Sequence, residues 1–473
     1  MTSINNQAHD QVRKLAEQGD FEQALEQVNA YLTHTPGDAE ALNDAGAILF
    51  AMGRFDEAID RLCDAIDRMP GETSEATWNL AEVTLAAGKP EETLPLLVEL
   101  AEAQMLRPDL AIRAASALLD RGLTAQAVEA LVLLKQLSDD DGDDVAESTL
   151  AVLRNHRPKV SLFYLREEEK LVEPIRHFIG ERFNTRWSSE QDAERLERLL
   201  QWSDVAWFES CDSMLTVASR NPGLARVVCH LKMYKASNPW IDETQWENVD
   251  LLIVPDPTIG EAICARVEGL AEKTRIVTVP NGLNMEHLPE RPGRRPGSRV
   301  ACLGYDNYRM SPEMLDVFLD AMDRDPRLGL NLAAETSEDM PEHSLRRELG
   351  EKCKGRDVGI EGLLSDPILW LENKQFVLAT NRFAERTPLV AECMALGIKP
   401  LVFVPEGDTP GILAEQFGFH TTDELLQRLN EPWEPARYRR LVEEEYSMEA
   451  QLGRINALLT ELEADWAPAS EAA

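Results

Sequence analysis

Four glycines, Gly19, Gly53, Gly88 and Gly122, recur at spacings of 34, 35 and 34 residues. Five residues after each comes a small side chain: Ala24, Ala58, Thr93 and Ala127. Pro36 and Pro70, 34 apart, close the first two units, which share the phrase Gly-x-Phe-x-x-Ala. A glycine is needed where two antiparallel helices join through a tight left-handed turn. A small residue is needed where those helices cross closely, because a larger one forces them apart. A period of this length implies stacked helix pairs, each burying its apolar face against the next. Pro90 and Pro95 interrupt the pattern, so the third and fourth units are expected to be looser.

The period and the Gly19–Ala24 and Gly53–Ala58 phrases resemble tetratricopeptide repeats. The resemblance implies about four units over residues 8–137, forming a short superhelix whose concave face takes an extended peptide or a protein. The other reading is a stabilising cap on the domains that follow. The acidic run at 139–144 lacks the alternating ligands and twelfth-position Glu of a calcium loop, so it reads as a solvated turn.

Beyond residue 158 the pattern changes. Strand candidates at 159–165, 205–209, 226–232, 250–255, 275–279, 299–304, 329–333, 357–360, 376–380 and 399–404 alternate with helical segments. Such alternation means parallel sheets covered by helices, and the Pro- and Arg-rich stretch Pro289–Ser298 breaks it into two halves. The expected division is a helical repeat domain at 1–155, one Rossmann-like domain at 156–290 and a second at 291–473. The last helices, from Pro435 to Leu462, are expected to return to the first half. A ligand belongs at the carboxyl ends of the strands, between the halves.

Residues 382–404, RFAERTPLVAECMALGIKPLVFV, are the richest in chemistry. Thr387 suits an N-cap, Pro388 the first helical position, Leu389–Leu396 the helix and Gly397 its stop. Pro400–Val404 then reads as a buried strand. A helix N-terminus aimed out of a parallel sheet attracts phosphate. Glu385 and Glu392 flank it, and carboxylates there hold hydroxyls, so the stretch suggests a sugar-nucleotide site. Against this, any doubly wound sheet contains capped strand–loop–helix units, and Glu392 then is a solvated helix residue.

The run Ala391–Pro400 resembles the donor-binding signature of retaining GT-B glycosyltransferases of family four. Val279–Asn284 is similar to the turn that ends the first domain in that family, and Leu303–Pro312 to the opening of the second. The likeness runs from Lys159 to near Leu459. It implies a GT-B body in which Glu392 holds the ribose, Glu385 the sugar and Arg309 the leaving diphosphate. Thr387, Pro388, Leu389, Gly304 and Asn281 join Glu392 in the donor site, and Lys232 joins Glu385 and Arg309 in catalysis. No metal or cofactor is implied besides the donor itself. The chain also departs from the family. Its first glutamate falls at Ala384, one residue before Glu385, and a second positive charge is replaced by Met310. Positions that carry a His and a Glu in related enzymes are Lys232 and Lys235, and the loop Tyr164–Glu169 lacks phosphate-binding glycines. His230, in an apolar strand, reads as a satisfied core histidine, the alternative being a contact with substrate.

The formal charge of −36, from 84 acidic against 48 basic residues, argues against nucleic-acid or anionic-membrane binding. It fits a basic protein partner or a salt-adapted cytoplasm. Cys63, Cys211, Cys229, Cys264, Cys302, Cys353 and Cys393 form no Cys-x-x-Cys pair and read as free thiols, mostly buried. No signal-like leader and no apolar stretch of membrane-spanning length occurs, so a cytoplasmic protein is expected. Two functions stand. One is a retaining glycosyltransferase moving a sugar from a nucleoside-diphosphate donor to a protein or surface-glycan acceptor recruited by the repeats. The other is a catalytically inactive scaffold of the same fold.

Overall fold

The computed structural model describes residues 2–69, 75–137, 144–232, 237–289, 297, 299–303, 311–334, 349–364, 366–380 and 388–464. By contact density, residues 1–158 with 179–184 form one compact unit, and 159–178 with 185–473 the other.

The first unit is an α-solenoid. Its helices are α1 (Thr2–Glu17), α2 (Phe21–His34), α3 (Ala39–Ala51), α4 (Phe55–Asp67), α5 (Glu75–Ala86), α6 (Pro90–Glu102), α7 (Pro108–Asp120), α8 (Thr124–Leu137) and α9 (Asp144–Arg154). The four glycines sit in the odd-to-even turns with φ of 82°, 74°, 73° and 74°. Each turn closes the same way. At Gly53 its own N–H donates to the Phe50 carbonyl, and the Arg54 N–H reaches back to Leu49. This satisfies the carbonyls that a helix end leaves open and requires a left-handed residue. The small residues are fully buried, Ala24, Ala58, Thr93 and Ala127 alike.

The glycine turns of the later units close as in the first two, although their repeat phrase is looser. Pro90 is the first residue of α6, where its missing N–H costs nothing, and α6 runs on through Pro95. Thr93 stands in for alanine because its hydroxyl is satisfied, 3.0 Å from that of Thr84. The acidic run at 139–144 lies, except for Asp144, outside the described residues.

The second unit holds two six-stranded sheets. The first comprises β1 (Lys159–Phe163), β2 (Asn184–Ser188), β3 (Val205–Phe208), β4 (Arg226–His230), β5 (Leu251–Val254) and β6 (Arg275–Thr278). Their order is β2-β1-β3-β4-β5-β6, with β1, β3, β4, β5 and β6 parallel. The second comprises β7 (Arg299–Leu303), β8 (Gly329–Ala334), β9 (Val358–Leu363), β10 (Phe376–Thr380), β11 (Lys399–Phe403) and β12 (Gly418–Phe419), ordered β12-β11-β10-β7-β8-β9 and parallel throughout. Every residue of β3, β5 and β11 is buried, as helix-covered parallel strands require. Phe163 and Phe208, paired across β1 and β3, stack at 4.6 Å.

Two strands escaped the sequence reading. β2 is a polar edge strand with two exposed residues, and β12 is only two residues long. Neither carries an apolar run. Leu283 and Ser447 form a parallel bridge, with Leu283 N–H donating to Tyr446 at 2.7 Å and Met448 N–H donating to Leu283 at 2.9 Å. The helix Met448–Ala464 then reaches the first sheet's last strand through Arg275 and Glu461, 2.7 Å apart. An α-solenoid followed by two Rossmann-like domains in tandem is thus the architecture.

Candidate functional site

Strand order locates two crevices. In each sheet the chain starts in the interior and winds outward in both directions, leaving a switch point between β1 and β3 and another between β7 and β10. Ligands of open parallel sheets bind beyond the carboxyl ends of the strands at such points.

At the second switch point, Gly304 and Arg309 follow β7 in the sequence, and Glu385 and Thr387 follow β10. All four lie outside the described residues, as do Met310, Arg382 and Ala384. The helix that follows spans Pro388–Ala395. It ends at Gly397, φ +79°, where the Ile398 N–H donates to Cys393 and the Gly397 N–H to Met394. Leu389 and Glu392 are partly buried on it. Burial pushes the Glu392 carboxyl above its usual range, and no side chain among the described residues pairs with it. A desolvated carboxylate on a helix that follows a switch-point strand, with no side-chain partner among the described residues, suits hydroxyl donors.

At the first switch point a cluster is drawn together that sequence reading had only half identified. Glu209, directly after β3, is fully buried. Its carboxylate accepts from Trp207 Nε1 at 2.7 Å, His230 Nδ1 at 3.1 Å and Lys232 Nζ at 3.0 Å. Burial pushes this carboxyl up, but His230 and Lys232 outweigh it and hold it at about 2. Lys232 Nζ also donates to the Leu171 carbonyl at 3.2 Å, and Asn281 Nδ2 donates to the Lys232 carbonyl at 3.0 Å. The structure thus sets Lys232 and Asn281, candidates from two different motifs of the same resemblance, next to each other. Lys235 lies outside the described residues.

His230 is buried, as its apolar strand predicts, and its Nδ1 is bonded; among the described residues its Nε2 has no hydrogen-bond partner, and neither has Asn281 Oδ1. Glu168, in the turn after β1, completes the group. It accepts from Ser210 Oγ at 3.3 Å, and burial raises its carboxyl against the pull of Lys232. Glu168 and Glu209 were missed because one stands in a charged run and the other at a strand end. The signal available was position alone: each follows one of the strands that flank the switch point.

At the opposite end of this sheet a groove is lined by Asp204, Arg226, Asp250 and Arg275. Its carboxylates serve the strands, Asp204 accepting from the Lys159 N–H at 2.8 Å and Asp250 from the Val227 N–H at 2.7 Å. Among the described residues, no three His, Cys, Asp or Glu side chains are grouped to hold a metal ion, and no helix is long and apolar enough to cross a membrane. None of the seven cysteines is in a disulfide. Cys63 is exposed and Cys264 half-buried, and the others are buried.

Residues 15–77 match the tetratricopeptide repeat family. No curated protein matches the chain. Among solved structures, a mutant O-GlcNAc transferase of Thermobaculum terrenum is 16% identical over 98% of this chain and 96% of its own, with a TM-score of 0.41. Anabaena HepE in complex with UDP and glucose is 13% identical, covering 64% of this chain and all of its own at a TM-score of 0.41. Sucrose-phosphate synthase of Thermosynechococcus elongatus is 15% identical over 66% of this chain and all of its own, at 0.43. The two Rossmann-like domains rest on this chain's own strand order, and the helical repeats on the family match and their four identical turns.

Proposed function

We propose that this chain is a glycosyltransferase that takes a sugar from a nucleoside-diphosphate donor held at the second sheet. The acceptor is a protein or surface glycan recruited by the repeats, whose concave face takes a peptide. The observation that supports this best is Glu392, a desolvated carboxylate with no side-chain partner among the described residues, beside the β7–β10 switch point. In this reading Glu392 accepts from the ribose hydroxyls and Glu385 from the sugar. Thr387, Pro388 and Leu389 present the helix start to the diphosphate, with Gly304 allowing close approach and Asn281 bordering the site. Arg309 stabilises charge growing on the leaving diphosphate, a contribution made chiefly in the transition state. Transfer proceeds with anomeric retention, as in the family that the motifs resemble. A cytoplasmic location fits nucleotide-sugar chemistry, and the acidic surface fits a basic partner.

The test is calorimetric titration of the full chain with uridine, guanosine, cytidine and adenosine diphosphate sugars. Glu392→Gln should weaken the best donor by about 1–3 kcal/mol, the cost of disrupting a buried charged hydrogen-bonding group. Absence of wild-type binding at millimolar donor refutes the reading.

One observation favours a second reading, an inactive scaffold. The Lys232 ammonium is neutralised by Glu209 at 3.0 Å, so it brings little net positive charge to a diphosphate. A scaffold retains partner binding through the repeats and shows no affinity for any nucleotide.

A further inference from the structure

The groove at the amino ends of β3, β4, β5 and β6 lies at the other end of the first sheet from the cluster at the switch point. Its volume is about 1040 Å³. The turn before β4 lines it with Pro222 and Leu224. Leu224 is 40% exposed, an apolar side chain left to solvent on a loop. Glu247, before β5, and Glu272 and Lys273, before β6, belong to the same lining. Among the described residues these three make no ion pair. Carboxylates and cations are mixed along the groove, so neither a phosphate nor a polycation is matched. An indole is matched. Its flat apolar face suits Leu224 and Pro222, and its single N–H donates to a carboxylate.

The chain itself carries an indole to this place. Arg275, the first residue of β6 and part of the groove lining, donates twice to Glu461 of the helix Met448–Ala464, at 2.7 and 3.0 Å. Such an exposed pair contributes little stability, but it sets the end of the helix at the groove. The helix stops three residues later, and residues 465–473 follow, outside the described residues. Trp466 is the only aromatic or long aliphatic side chain among them. Three helical steps of about 1.5 Å and two extended steps of about 3.4 Å carry its backbone up to about 11 Å from Glu461. β4 stands about 10 Å from β6, with β5 alone between them. The reach is sufficient.

We propose that the groove is the docking site of the chain's own segment 465–473. The Trp466 ring covers Leu224 and Pro222, and its N–H donates to Glu247 or Glu272. Seated there, the segment fastens the end of a helix whose start is already held, by the Met448 N–H on the Leu283 carbonyl at 2.9 Å. It also removes from water the apolar surface that the turn before β4 exposes. The inference rests neither on a nucleotide at the second sheet nor on a partner at the repeats.

The experiment is fluorine NMR of the full chain labelled with 5-fluorotryptophan, in which Trp466→Phe assigns the Trp466 signal among nine. In the wild type that signal should stand away from the position of a solvent-exposed fluoroindole. Leu224→Glu, at a side chain already exposed, should move it to that position and leave the other eight signals in place. Trp466→Ala, read by hydrogen exchange, should speed the Arg226 and Thr274 amides about threefold or more. This second measurement decides the matter if Leu224→Glu disturbs the other signals. A Trp466 signal already at the exposed position, one that Leu224→Glu leaves unmoved, or unchanged exchange in Trp466→Ala each overturns the proposal. So does a signal that changes on tenfold dilution, because the occupant is then the segment of a second copy.

Discussion

Replacing Glu209 by glutamine should destabilise the first sheet severely although the two side chains have almost the same shape. Every partner of this carboxylate is a donor: Trp207 Nε1, His230 Nδ1 and Lys232 Nζ. A glutamine has one oxygen to offer, so its amide N–H must face one of those donors. The ammonium of Lys232, with only 17% of its side chain exposed, also loses its counter-charge. Breaking a buried pair by removing one partner costs about 3–5 kcal/mol. A second route gives a similar figure. The Glu209 carboxyl falls from 4.5 to about 2 on folding, which corresponds to about 3 kcal/mol of stability at neutral pH. Because the folded value is the lower one, that contribution is complete above pH 4.5 and disappears as pH falls through about 2. A multidomain chain has no single two-state transition, so the measurement is hydrogen exchange of the β3 and β4 amides against urea, between pH 3 and 7. Local stability should drop by about 3–5 kcal/mol in Glu209→Gln at pH 7, and the difference from wild type should shrink on acidification. A loss below about 1 kcal/mol, the scale of an exposed pair, would refute the buried-cluster argument.

Other consequences follow from close contacts and desolvation. Gly282→Ala would place its Cβ 2.8 Å from both Gln451 Oε1 and the Met448 backbone. It should cost about 1–3 kcal/mol and speed exchange of the Met448 amide, and an unchanged rate there would show that the helix is not anchored at this point. Gly46→Ala meets Leu62 at 2.6 Å where α3 crosses α4, so the solenoid should lose about 1–3 kcal/mol in circular-dichroism melts. Glu392→Gln should leave stability at pH 7 equal or higher, because the buried carboxyl's raised value means that ionising it opposes folding. Lower stability in urea titrations would mean that Glu392 has a structural partner.

The solenoid was legible because its information is local. A glycine at φ near +75° and a buried small residue five positions on are demanded by one turn and one helix crossing, both contained within a single period. The strands of both sheets, β2 and β12 excepted, were legible for a related reason, since parallel strands buried on both faces must be continuously apolar. Even the helix stop at Gly397 could be read, as its left-handed conformation excludes most other residues.

The first-sheet site could not be read that way. Glu168, Glu209 and His230 are scattered along the chain, and nothing local distinguishes them from solvated or core residues; Asn281 was reached only through a motif. Strand order decides their fate. By placing β3 on the free side of β1, opposite β2, the fold sets Ser210 against Glu168. By placing β4 next, it buries Glu209 against His230 and Lys232. The charge of a lysine is written in the sequence. Whether that charge is available or cancelled depends on which carboxylate the tertiary structure sets 3.0 Å away, because electrostatic interactions act through space and dielectric rather than along the chain.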